Sequence, residues 1–208
     1  MSQVLFIKAN DRPSEQSVSA QMYDEFLKGY KEANPEAQLV ELNLFAENLP
    51  YFDNAMMTGL YKEANGMELT SEEKELTATA NRYLDQFMAA DKIVIAFPLW
   101  NFTIPAQLLT YLFYISQAGK TFKYTEQGPV GLAGGRKVAL LNARGGVYSE
   151  GPMQQIEMSL NYVKTIMGFI GIHDAETHVI EGHNQFPDRK EAIIGEGLRK
   201  AFEAGSAF

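Results

Sequence analysis

Lys92-Ile93-Val94-Ile95-Ala96-Phe97-Pro98-Leu99-Trp100-Asn101-Phe102-Thr103-Ile104-Pro105 is the stretch on which the reading of this chain turns. From Ile93 to Phe97 it has no polar interruption, the pattern of a strand buried on both faces. Pro98 then breaks the run, and a second proline closes the loop that holds the only tryptophan. A loop directly after a buried parallel strand lies at the carboxyl edge of its sheet, where open α/β folds take their ligands. Two aromatics, one amide and two φ-restricting prolines suit a stiff wall for a flat, polar-edged ring. They suit equally an ordinary strand-to-helix connection with its aromatics in the core.

The flanks supply the rest of the fold. Val4-Leu5-Phe6-Ile7 reads as a first strand. Ser14 to about Lys31 reads as a helix, with Val18, Met22, Phe26 and Tyr30 on one face. Leu39 to Leu42 is a second strand. Residues 43–70 are irregular, with a short helix near Asn54 to Lys62, and are too long for an ordinary connection, so they are functional or mobile. Thr70 and Glu73 have capping-box spacing for a helix to about Ala90. After the strand at Lys92–Phe97, Pro105 opens a helix to about Gln117, and Thr121–Gly135 reads as a hairpin-like excursion. A strand at Val138–Leu141, a helix over Pro152–Phe169, a strand at Thr177–Ile180 and a helix over Asp188–Ala204 complete the chain. Strands alternating with helices predict one α/β domain over residues 1–208. It has a flavodoxin-like five-stranded parallel sheet of order 2-1-3-4-5, with helices on both faces.

Composition narrows the function. With 208 residues, 46% hydrophobic, the chain can bury a sizeable core. A formal charge of -8 argues against a nucleic-acid partner. No apolar run approaches the ~18 residues of a membrane span. The start, Met1-Ser2-Gln3-Val4, has no leader-like basic and apolar regions. Cysteine is absent, which excludes disulfides, thiolate nucleophiles and iron–sulfur clusters and is compatible with the expected cytoplasmic location. His173, His178 and His183 are spaced by five, unlike the i, i+4 pairs of helical zinc sites, so no metal is expected. They read as structural, with His183-Asn184 able to border a site. Glu68, Glu72, Glu73 and Glu75 read as a solvated helix start. Tyr111, Phe113 and Tyr114 read as core or subunit contact.

Three loops should converge at the carboxyl edge. The first, after strand one, holds Asn10, Arg12, Ser17, Val18 and Ser19, short donors beside a helix start that suits a phosphate. Ordinary capping by Ser14 explains the same residues, and neither the P-loop nor the dinucleotide motif is present. The second loop is Pro98-Leu99-Trp100-Asn101-Phe102. The third is Asn142-Ala143-Arg144-Gly145-Gly146-Val147-Tyr148, whose paired glycines let backbone N–H groups approach a ligand or simply make a tight turn. Together they outline a phosphate cradle, an aromatic wall and a donor-rich rim, as a mononucleotide cofactor would need.

Four segments carry a resemblance: P-L-W-N-F-T-I-P from Pro98, T-F-K-Y-T-E-Q-G-P-V-G from Thr121, N-A-R-G-G-V-Y-S-E-G-P from Asn142 and M-G-F-I-G-I from Met167. In combination they resemble the FMN-dependent NADH:quinone oxidoreductases known as azoreductases, and most of all the Bacillus-type branch. The resemblance spans nearly the whole chain. It implies FMN held by Ser17–Ser19, by Leu99–Phe102 and by Ala143–Gly146, with Asn10 where some members place a serine. The enterobacterial form carries Met-Tyr in place of Leu99-Trp100. The resemblance further implies a homodimer with two sites at its interface, where Tyr124 and Phe169 line the substrate side. NADH would be the donor, and a quinone or aromatic azo compound the acceptor, in a ping-pong cycle. No side-chain acid or base is demanded, and none is assigned. A flavodoxin-type electron carrier, a general FMN or nitro reductase, and a fold that lost its cofactor are the competing readings.

Overall fold

Alternation along the strands decides the layers. The computed structural model describes residues 3–208; Met1 and Ser2, and with them the start at which no leader is expected, lie outside the described residues. β1 (Gln3–Lys8), β2 (Gln38–Asn43) and β3 (Lys92–Pro98) join the later β6 (Lys137–Arg144) and β7 (Glu176–Glu181) in one parallel sheet of order β2-β1-β3-β6-β7. Val4, Phe6, Val94, Ala96, Ala139 and Leu141 point to one face. Leu5, Ile7, Ile93, Ile95, Val138 and Leu140 point to the other. Both sets are buried, so both faces must be covered by helices. α1 (Val18–Ala33) and α6 (Lys190–Ala207) cover the first. α3 (Ser71–Ala89), α4 (Ala106–Ile115) and α5 (Leu160–Phe169) cover the second. β4 (Phe122–Thr125) and β5 (Gly128–Gly131) form a separate antiparallel hairpin. With the hairpin left out of the count, the order is the expected 2-1-3-4-5.

Several elements depart from their expected bounds. β6 continues through Arg144, because β3 and β7 flank it on both edges as far as Ala143 and Arg144. Asn142, Ala143 and Arg144 are therefore strand, not loop. The expected helix over 152–169 divides: a 3₁₀ turn spans Pro152–Ile156, and α5 starts only at Leu160. The Glu157 carboxylate accepts the backbone N–H groups of Ser159, Leu160 and Asn161, which supplies a new start there. Ser14 heads a 3₁₀ turn of its own, and Ser17 caps α1 by accepting from the Ala20 N–H.

Residues 43–70 are tied down. α2 (Asn54–Ala64) is capped by Asp53, and the Tyr114 hydroxyl donates to the Pro50 carbonyl. Lys62 reaches Glu73 at 2.6 Å. Glu73 also completes the capping box with Thr70, as the spacing indicated. It is buried rather than solvated, because an ammonium and a backbone N–H satisfy its charge. Tyr111 and Tyr114 are fully buried, whereas Phe113 is exposed.

α1 and α6 approach so closely that glycine is required at their contact. A Cβ on Gly205 would lie 2.1 Å from the Phe26 carbonyl oxygen, and one on Gly29 2.2 Å from that of Phe202. Neither obstacle is a side chain that can rotate away. Gly205→Ala must push the helices apart and should cost about 1–3 kcal/mol, read as a lower urea midpoint.

Candidate functional site

Parallel strands bring their carboxyl ends to one edge, so the loops after β1, β3 and β6 meet. Leu99 N–H donates to the Ala143 carbonyl at 2.9 Å, and Ala9 N–H to that of Ala96 at 2.9 Å. Between these loops lies a cleft of about 540 Å³, within the usual range for a cofactor site. Asn10, Arg12, Ser17, Val18 and Ser19 line one end. Pro98, Leu99, Trp100, Ala143 and Gly145 line the other.

The cradle end is built around one amide. Arg12 N–H donates to Asn10 Oδ1 at 2.9 Å, which fixes the orientation of the side chain. Its Nδ2 therefore faces the serines and donates to Ser17 Oγ at 2.7 Å and Ser19 Oγ at 2.8 Å. The two oxygens, 3.3 Å apart, are supplied with donors, so a hydroxyl proton is left to point outward. All three residues are buried beside the first turn of α1, where the dipole also favours an anion.

The aromatic wall depends on a tight turn. Trp100 and Thr103 exchange backbone hydrogen bonds at 2.9 and 3.0 Å, and the two residues between them have positive φ, Asn101 at 47° and Phe102 at 70°. Such a turn normally takes Asn-Gly. Asparagine fits, but phenylalanine in the left-handed region costs on the order of 1–3 kcal/mol. Met158 N–H offsets part of that cost by donating to the Phe102 carbonyl at 2.8 Å, and Tyr148 packs edge-on to the ring at 6.4 Å. Trp100 in turn meets Phe45 edge-on at 6.1 Å.

The rim is tied from behind. Gly145 O accepts from the Asn184 and Gln185 N–H groups, and Gly146 O from the Gly182 N–H. Among the described residues, no acceptor faces the N–H of Gly145 or Gly146. A Cβ on Gly145 would come 2.6 Å from Asn184 Nδ2. An unengaged donor at the ring end, Gly145 N–H, with that of Gly146 beside it, and a hydroxyl cradle at the other fit a ligand with an acceptor-rich flat edge and a phosphate, and so fit FMN.

Not every expected residue reaches the cleft. Arg144 and Asn142 are buried behind it and bond to each other. Asn101, Phe102, Gly146 and Tyr148 lie beside it without lining it. Tyr124 and Phe169 stand apart, joined through Phe122, whose ring is 4.4 Å from Phe169 and 5.4 Å from Tyr124. Lys190 was missed, and His183 and Asn184 were only allowed as neighbours, yet all three line the cleft. Their signal lay in position: they follow β7, the strand beside β6. His183 is held below the usual imidazole range by burial and then by Lys190, and its Nδ1 has no partner among the described residues.

A family model described as a flavodoxin-like fold matches residues 2–204. The chain is 59% identical over 208 residues to FMN-dependent NADH:quinone oxidoreductase 1 of Listeria monocytogenes. It is 58% identical over 208 residues to FMN-dependent NADH:quinone oxidoreductase 2 of Bacillus cereus. In both cases 100% of each chain is covered. Its structure superposes on a crystal structure of azoreductase from Bacillus anthracis with a TM-score of 0.98, at 56% identity over 100% of both chains. An FMN-dependent NADH-azoreductase from the same organism, solved in complex with FMN, gives 0.90 at 32% identity, covering 100% of this chain and 99% of that one.

Ser17→Ala removes both the cap of α1 and a cradle hydroxyl. It should lower stability by about 1 kcal/mol, seen in urea unfolding without added ligand. It should also weaken the FMN affinity measured by quenching of flavin fluorescence. An unchanged affinity would take Ser17 out of the cradle.

Proposed function

This chain belongs to the family of FMN-dependent NADH:quinone oxidoreductases, and on that premise we propose that it passes two electrons from NADH through bound FMN to quinones and aromatic azo compounds. The observation that carries the reading is the pairing of the Asn10–Ser17–Ser19 cradle with the unengaged Gly145 N–H group across one cleft, the Gly146 N–H standing beside it. Bound FMN supplies hydride acceptance and two-electron delivery. The protein's residues do the rest. Ser17 and Ser19 hold the phosphate, and the 98–102 turn walls the ring. The rim N–H groups stand preorganised where negative charge grows. Asn142, Ala143 and Arg144, at the end of β6, support that rim, and Val18 and Asn10 complete the cradle.

A ping-pong order follows if donor and acceptor use one exposed ring face in turn. The working unit is one flavodoxin-like domain over 1–208, paired as a homodimer in the cytoplasm. Tyr51, Met57, Tyr61, Tyr124 and Met158 are exposed apolar side chains of the kind a partner surface covers, which supports the pairing. Tyr124 and Phe169 would then reach the partner's site and line its substrate side.

The test is the visible spectrum of the purified protein under anaerobic NADH, followed by a quinone. A flavin spectrum that bleaches in one two-electron step and recovers with quinone is the expected result. Colourless protein that FMN cannot reconstitute would overturn the assignment, and stable one-electron reduction would favour an electron carrier.

A further inference from the structure

Directly before the glycine rim, the chain buries a full positive charge. Arg144 is 3% exposed and does not line the cleft. Its Nε donates to Asn142 Oδ1 at 2.6 Å, and Asn142 Nδ2 donates to the Phe97 carbonyl at 3.1 Å. One Nη lies 3.3 Å from Glu181 Oε2 and the other 3.9 Å from Glu157 Oε2. A single guanidinium thus stands between two carboxylates, one of them as deeply buried as itself.

Each carboxylate also grips a segment beside the cleft. Glu181 Oε2 accepts the N–H groups of Tyr148 at 2.9 Å and Ser149 at 3.2 Å, which fixes the end of the rim loop. Glu157 caps α5, and the next residue, Met158, holds the strained Phe102 carbonyl. Burial alone would raise the Glu157 carboxyl. The bonds from Ser159, Leu160 and Asn161 and the charge of Arg144 outweigh it and hold the group below the usual carboxylate range.

We propose that the Arg144–Glu157–Glu181 cluster sets the redox potential of the flavin, the two carboxylates outweighing a cation buried immediately behind its ring-facing rim. The proposal rests on the reading that FMN occupies the cleft. An uncompensated guanidinium there would favour the reduced cofactor, which gains negative charge, and would raise the potential. Burial shields the cluster from salt, so its charges act further than surface charges do. Two carboxylates against one guanidinium add no net positive charge behind the rim, which is left to stabilise by N–H dipoles.

Glu157→Gln is the informative variant, because the amide oxygen still accepts helix N–H groups while the charge is gone. In the FMN-loaded protein, titrated against a reference dye, the ratio of reduced to oxidised flavin at a fixed potential should rise about tenfold. For a two-electron couple that is about 30 mV upward. Ser159→Ala removes one donor to Glu157 and no charge, so it should lower the thermal midpoint and leave the potential in place. A Glu157→Gln potential equal to or below the parent's overturns the proposal, as does an equal shift in Ser159→Ala. Should Glu157→Gln fail to fold, Glu181→Gln, at the more exposed carboxylate, carries the same sign. Parent protein that retains no FMN overturns the cofactor reading beneath, and this inference with it.

Discussion

β3 is hydrogen-bonded on both edges and covered on both faces, and the site exists because of it. A strand so placed can make no further backbone contacts within the sheet. Its chain can turn aside only where pairing stops, at Pro98, which lies in register with Ala143 of β6. The Leu99 N–H bond to the Ala143 carbonyl then fastens the departing loop to its neighbour. The wall and the rim thus leave two neighbouring strands at the same end of one ladder, and their separation there is fixed by strand spacing rather than by loop packing.

Within that frame, the two ends of the cleft solve different problems. At the cradle, polar side chains are buried before any ligand arrives, so they must satisfy one another, and Asn10 does this with a single oriented amide. At the rim, the Gly145 and Gly146 carbonyls are engaged and, among the described residues, the N–H groups of these two glycines are not. One end offers a hydroxyl proton and the other peptide dipoles fixed in direction by the backbone, so little reorganisation is needed when charge appears at the rim.

Much of this was legible in local sequence. The apolar run Ile93–Phe97 announced its own double burial, and Thr70 with Glu73 announced a helix start. Hairpin and sheet order followed from alternation and glycine spacing. What escaped depended on partners distant in the chain. The extension of β6 to Arg144 required β7 to run alongside it. The late start of α5 required the Glu157 side chain to turn back on its own backbone. Glu73 looked solvated because nothing local indicates that Lys62 will fold over it. Lys190 sits in a polar stretch with no motif, and only the crossing of α6 over the first face brings it to the cleft.

Phe102 carries a further meaning for how such a chain changes over generations. A glycine at that position would relax the turn and raise stability, yet it would delete the ring that packs on Tyr148 beside the cleft. Selection for robustness alone would therefore trade away the packing beside the cleft at this residue. The strain that this phenylalanine carries is met elsewhere, and the Met158 contact is where the rest of the protein compensates.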